Sequence, residues 1–93
     1  MKGVFEMSYH IFSLIRALAH DKISFSYAPL YDGDHIIVKI MGRKYSIICH
    51  EYSYGHEKGL LEIDNNHWHD VIGWLTAEEV LDILKTDVNE DYN

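Results

Sequence analysis

The chain holds one cysteine, one proline and, in residues 51–93, only two basic side chains. The single Cys49 excludes an internal disulfide, and small secreted domains usually lean on several. A reducing, cytoplasmic setting is therefore the expectation. Cys49 ends the apolar run Tyr45-Ser46-Ile47-Ile48-Cys49, where a free thiol behaves as a small buried hydrophobe. No stretch approaches the roughly 20 apolar residues of a membrane span. Glu6, His10 and Arg16 interrupt the apolar stretch after Lys2, and no small-residue cleavage site follows, so no signal peptide is expected. The six glycines form neither a G-x-G-x-x-G nor a P-loop spacing, which excludes those phosphate cradles. Eight basic residues against fifteen acidic ones leave a net charge of −7, the wrong sign for direct contact with nucleic acid.

What is present describes a single globular domain over residues 1–93. Hydrophobic residues make up 47% and charged residues 25%, a balance that supports one modest core and excludes wholesale disorder. The charge is unevenly placed. Residues 1–50 carry six basic and four acidic side chains, a net of +2, and residues 51–93 carry two and eleven, a net of −9. Such asymmetry points either to a charged partner or to a solvated surface.

Periodicity sets out the elements. Met7, Ile11, Leu14, Ile15 and Leu18 recur at helical spacing within a predicted helix from Phe5 to His20, with Phe5, Phe12 and Ala19 widening the apolar face. Ile23, Phe25 and Tyr27 alternate with serines as a strand, which Pro29 is expected to stop. Tyr31 to Asp34 reads as a turn. His35–Met41 and Lys44–Tyr52 read as strands joined by Gly42-Arg43 in a type II′ turn. A loop over residues 53–59 leads to a short strand, Leu60–Asp64, and then a turn at Asp64-Asn65-Asn66. Asp70 to Trp74 fits either a short strand or an extended connection, with Trp74 read as core beside Leu75. Thr76-Ala77-Glu78-Glu79 is a capping box, with Leu75 and Val80 placed as its hydrophobic staple. The helix that follows carries Val80, Leu81, Ile83 and Leu84 on its apolar face, and the acidic tail from Asp87 onward is expected to fray. The predicted fold is α+β and two-layered: helix, antiparallel meander of three or four strands, helix.

Few residues pattern as chemistry. His67 and His69 share one side of an extended segment near Asp64 and Asp70, but a zinc site needs three or four converging ligands. A metal-binding protein built on those histidines is the alternative reading, and no cofactor is expected. Cys49 and His50 are sequence neighbours on a strand and so point to opposite faces, which separates a thiol from its would-be base. Ser53-Tyr54-Gly55-His56-Glu57 crowds hydroxyl, imidazole and carboxylate together, yet such residues also serve a turn. No set meets the requirements for nucleophile, base and orienting group, so an enzyme is not expected.

Aromatic residues set among acids are more suggestive. Tyr52 and Tyr54 stand beside Glu51 and Glu57, and Trp68 stands near Asp64 and Asp70. Tyrosine and tryptophan anchor interfaces through a large apolar area with a polar tip, and carboxylates steer basic partners. With the stretches SYGHEKGLLEI and GWLTAEEVLDIL and its acids concentrated late, the chain resembles small phage- or prophage-encoded proteins. It is similar in size, charge and element order to some anti-CRISPR inhibitors. The resemblance is one of architecture and carries over no residue. It implies a stoichiometric inhibitor whose carboxylates replace phosphates on a basic, nucleic-acid-processing protein. The expected anchors are Tyr52, Tyr54 and Trp68, and the expected carboxylates are Glu51, Glu57, Glu62, Asp64, Asp70, Glu78, Glu79 and Asp82. A homodimer formed through an exposed strand edge is the remaining alternative.

Overall fold

The computed structural model describes residues 7–91, with side chains described through Asp87. Its order is α1 (Tyr9–His20), β1 (Phe25–Leu30), β2 (Gly33–Ile40), β3 (Arg43–Cys49), a 3-10 turn (His56–Lys58), β4 (Leu61–Asn65), β5 (Ile72–Leu75) and α2 (Ala77–Asp91). The five strands form one antiparallel sheet in chain order, β1-β2-β3-β4-β5. The fold is thus α+β as expected, with one strand more than the meander predicted. Ile72–Leu75 pairs with β4 across a register irregularity between Leu61 and Ile63, which settles the Asp70–Trp74 ambiguity in favour of a strand.

Both helices cover one face of the sheet. Ile11, Leu14 and Leu18 of α1 and Val80 and Leu84 of α2 are fully buried in one cluster with Ile36, Val38, Ile47, Leu61 and Ile63. Each such side chain contributes roughly 1.5–3 kcal/mol on burial. Phe12 and Ala19 are exposed, so the apolar stripe of α1 is narrower than its composition suggested. The expected start at Phe5 lies outside the described residues. Within them, Ser8 caps α1 by accepting from the His10 N–H, and its hydroxyl donates to the Gly59 carbonyl at 2.7 Å. Lys22 ends the helix at φ 59°, and the Ile23 N–H reaches back to the Leu18 carbonyl as in a Schellman turn.

Three local expectations are corrected. Pro29 lies inside β1 opposite Asp34, because β1 is an edge strand and a missing N–H matters little there. The β1–β2 turn is only Tyr31-Asp32, both at positive φ, and Gly33 and Asp34 already belong to β2. The β2–β3 turn is Met41-Gly42 at φ 53° and 83°, the type I′ signature, so Arg43 begins β3 instead of sitting in the turn. At the other end of the chain, α2 continues to Asp91. Asp87 is held by the Tyr45 hydroxyl at 2.5 Å and the Arg43 guanidinium at 3.2 Å.

The capping box forms as read: the Glu79 N–H meets the Thr76 hydroxyl, and the Thr76 N–H meets the Glu79 carboxylate at 2.9 Å. His10 adds a cap from α1, its Nδ1 accepting the Ala77 N–H at 3.2 Å. Cys49 is buried, and burial pushes its thiol above the ordinary value, opposite to an activated nucleophile.

A second tyrosine–carboxylate pair ties β1 to β2. The Tyr27 hydroxyl donates to Asp34, which is only 2% exposed. Desolvation, then the bond to Asp34, pushes the phenol from 10 up to about 12. The folded chain therefore favours the neutral phenol. Its contribution to stability is complete below pH 10 and is lost as pH rises towards 12, because the unfolded chain releases the proton first. Urea midpoints measured from pH 9 to pH 12 should fall more steeply for the native protein than for Tyr27→Phe. Parallel profiles would show that the pair does not couple to folding.

Candidate functional site

The strand directions divide the acids and aromatics between two ends of the sheet. The β1–β2 turn, the β3–β4 loop and the end of β5 lie at one end, with the start of α2. The β2–β3 turn and the β4–β5 loop lie at the other.

The first end is aromatic and acidic. His50 and Ser53 are both buried and fold the chain back on itself. The Ser53 hydroxyl donates to the His50 carbonyl at 2.8 Å and accepts the His50 N–H at 3.0 Å. That hydroxyl is thereby committed to a turn. The imidazole Nδ1 of His50 accepts the Tyr52 N–H at 3.1 Å. Around this turn the rings of Tyr31, His50 and Tyr52 meet edge to face, with centroids 5.2–6.0 Å apart. Tyr31 and Tyr52 are exposed.

Two residues further on, Tyr54 stacks on Trp74 with centroids 5.2 Å apart and planes inclined by 18°. Both rings stay more than half exposed, Tyr54 at 53% and Trp74 at 55%. Trp74 is therefore not the core residue its neighbour Leu75 suggested. Its φ of 56° turns the side chain out of the strand's regular alternation. The Tyr54 N–H donates to the Glu62 carboxylate at 3.0 Å.

The expected anchors and carboxylates distribute unevenly over this frame. Glu51, Tyr52, Tyr54 and Glu57 lie in the β3–β4 loop and are exposed. Glu62 and Asp64 lie on β4, on the sheet face opposite the helices, because they alternate with the buried Leu61 and Ile63. Glu78 and Glu79 lie in the first turn of α2, at the aromatic end but in the helix layer. Trp68 and Asp70 lie in the β4–β5 loop at the far end. Trp68 is half-buried and packs edge to face on Tyr45, 6.1 Å between centroids. Asp82 lies on α2 and lines a small cleft with Trp68 and Asp87. The eleven residues therefore do not form one surface. Glu51, Tyr52, Tyr54, Glu57, Glu62, Glu78 and Glu79 gather at one end, and Asp64, near the far end of β4, stands apart from them with Trp68, Asp70 and Asp82. The reading of the sequence missed Asp32, Tyr31 and Trp74, which also lie at the aromatic end.

The helix-free face between the ends is mixed. Ser26, Ile37, Ser46 and Asp64 form one row across four strands, and Ala28, His35, Ile48 and Glu62 form the next. His35 shares a 2.8 Å hydrogen bond with Ser46. Desolvation, followed by the nearby His50 and Lys44, holds His35 below the ordinary imidazole value. Lys39 and Lys44 pair directly across β2 and β3 near the far end, and Lys22, Lys39 and Lys85 rim an apolar groove there.

His67 and His69 are both exposed, and among the described residues no three His, Cys, Asp or Glu side chains group as metal ligands. Among the described residues no helix is long and apolar enough to cross a membrane. No protein-family model matches the chain, and no curated protein or solved structure resembles it significantly.

Proposed function

We propose that this protein is a non-enzymatic binding module that presents its acidic, aromatic end to a basic protein. The observation that carries the reading is the composition of that end in space. Exposed Tyr31, Tyr52, Tyr54 and Trp74 stand among the carboxylates of Asp32, Glu51, Glu57 and Glu62, with Glu78 and Glu79 at the adjoining helix start. Lys58 is the one lysine in these segments among the described residues. Rings supply contact area that loses little conformational freedom on binding, and the surrounding field speeds encounter with Lys and Arg.

The finer form of the proposal is a stoichiometric inhibitor that competes with nucleic acid for its partner, as the resemblance to phage-encoded inhibitors implies. The acids on α2 beyond its first turn, and those of the far end, play no part in it. The test is capture of basic proteins from lysate by immobilised protein, followed by elution with salt or with duplex DNA. Capture that DNA and salt both displace, and that Glu51→Lys/Glu57→Lys/Glu62→Lys abolishes, is the expected result. Capture that survives the triple reversal, or the absence of any DNA-displaceable basic protein, would overturn it.

A further inference from the structure

The Tyr54–Trp74 stack is built at some conformational expense and then left in solvent. Trp74 occupies the left-handed region at φ 56°, which side chains other than glycine rarely adopt. Gly73 is required by space: a Cβ there would stand 2.5 Å from the Tyr54 Cβ. Gly55 is required by conformation, at φ 94°, and also by space, since its Cβ would come within 3.0 Å of the Trp74 Cα. The Trp74 N–H points to the Tyr54 carbonyl at 3.4 Å, tying β5 to the loop. Two rings are thus held parallel by glycines on each side and by an unfavourable backbone angle. Strained backbone around an exposed group is a mark of function, because packing alone would relax it.

Resting on the acidic-end reading above, we propose that this stack is an arginine-reading platform, which takes the guanidinium plane of a partner's arginine on an outer ring face, beside the Glu62 carboxylate. Three features of the site select that chemistry. A flat guanidinium matches a fixed aromatic face, whereas a lysine ammonium is a compact point charge that gains less from stacking. One Glu62 oxygen accepts the Tyr54 N–H, and a carboxylate has capacity for further donors, such as the arginine fork. The acids Glu51, Glu57 and Glu62 repel the phosphates that accompany a nucleobase, and a neutral sugar gains nothing from their field.

The experiment uses the full chain and two peptides of equal length and charge, hexa-arginine and hexa-lysine, titrated at low salt. The indole N–H signals of Trp74 and Trp68 are followed by NMR. The chain has two tryptophans, and the second, at the far end of the sheet, serves as an internal control. Hexa-arginine is expected to bind about fivefold more tightly, the worth of one exposed cation–π contact. The Trp74 signal should move with binding while that of Trp68 stays put. Trp74→Gly accepts the left-handed backbone without strain and removes the ring, so it should retain the fold and equalise the two peptides. Tyr54→Leu keeps the Cβ seated on Gly73 and should reduce the preference as well, which covers any folding defect of the first variant. Equal affinities with the Trp74 indole unmoved would overturn the platform while leaving the acidic-end reading standing. Failure of both peptides to bind would overturn both.

Discussion

Replacing Asp87 with alanine should destabilise the fold by about 3 kcal/mol, the range for breaking a largely buried ion pair and removing an acceptor from a buried hydroxyl. Tyr45 is fully buried in the middle of the core, and its hydroxyl donates to Asp87. Arg43 reaches the same carboxylate oxygen, with both charged side chains less than one-fifth exposed. The triad joins the start of β3 to the last turns of α2. A carboxylate near a helix C-terminus opposes the helix dipole, so its partners, and not its own helix, favour Asp87 in that position. Removal takes one acceptor from a buried phenol and one carboxylate from a guanidinium. For a domain of this size the loss corresponds to roughly 15 °C in melting temperature. Asp87→Asn keeps an acceptor for Tyr45 and should lose less. A double-mutant cycle with Tyr45→Phe should show a coupling above about 1 kcal/mol. If Asp87→Ala melts within about 3 °C of the native protein, the triad is a passive surface contact and this account of α2 docking is wrong.

Gly33→Ala should be about as damaging, near 3 kcal/mol, for a different reason. Gly33 has an ordinary backbone angle, so conformational freedom is not what it supplies. A Cβ at that site would lie 2.2 Å from the Cys49 carbonyl oxygen and 2.6 Å from the His50 Cα. Both obstacles are backbone, and β2 would have to move away from β3 at the point where Asp34 pairs with Cys49. Gly42 is the control. It sits at φ 83° with nothing within 4 Å of a built Cβ, so Gly42→Ala carries only the left-handed penalty of roughly 1 kcal/mol. Chemical denaturation of the two variants side by side should rank them clearly. A Gly33→Ala protein no less stable than Gly42→Ala would refute the close-approach argument.

The same contrast separates what could be read from the chain and what could not. The stripe on α1, the hairpin between β2 and β3 and the capping box at Thr76 each rest on residues within a few positions of one another, and each is present. The exact turn is a finer matter. A shift of one residue between Gly42-Arg43 and Met41-Gly42 changes the turn type, and only pairing with the adjacent strands selects it. β5 was ambiguous because only Leu75 of its four residues is buried, leaving almost no alternation to detect. It is a strand because β4 offers it an edge. Trp74 beside Leu75 looked like core, and its positive φ reverses that by aiming the ring at Tyr54.

Periodicity and charge counts alone place two amphipathic helices around an antiparallel meander and the acids in the second half. Both are properties of near neighbours along the chain, since periodicity and charge counts need no knowledge of distant contacts. Where the charge and the rings meet depends instead on contacts between distant segments. Asp32, Glu51, Glu62, Trp74 and Glu78 come from five segments and share one end because successive antiparallel strands return the chain there. The same alternation carries Trp68, Asp70 and the lysines of the β2–β3 hairpin to the other end. The acidic half of the sequence is therefore not the acidic end of the molecule, because strand direction, not chain position, sets which loops become neighbours.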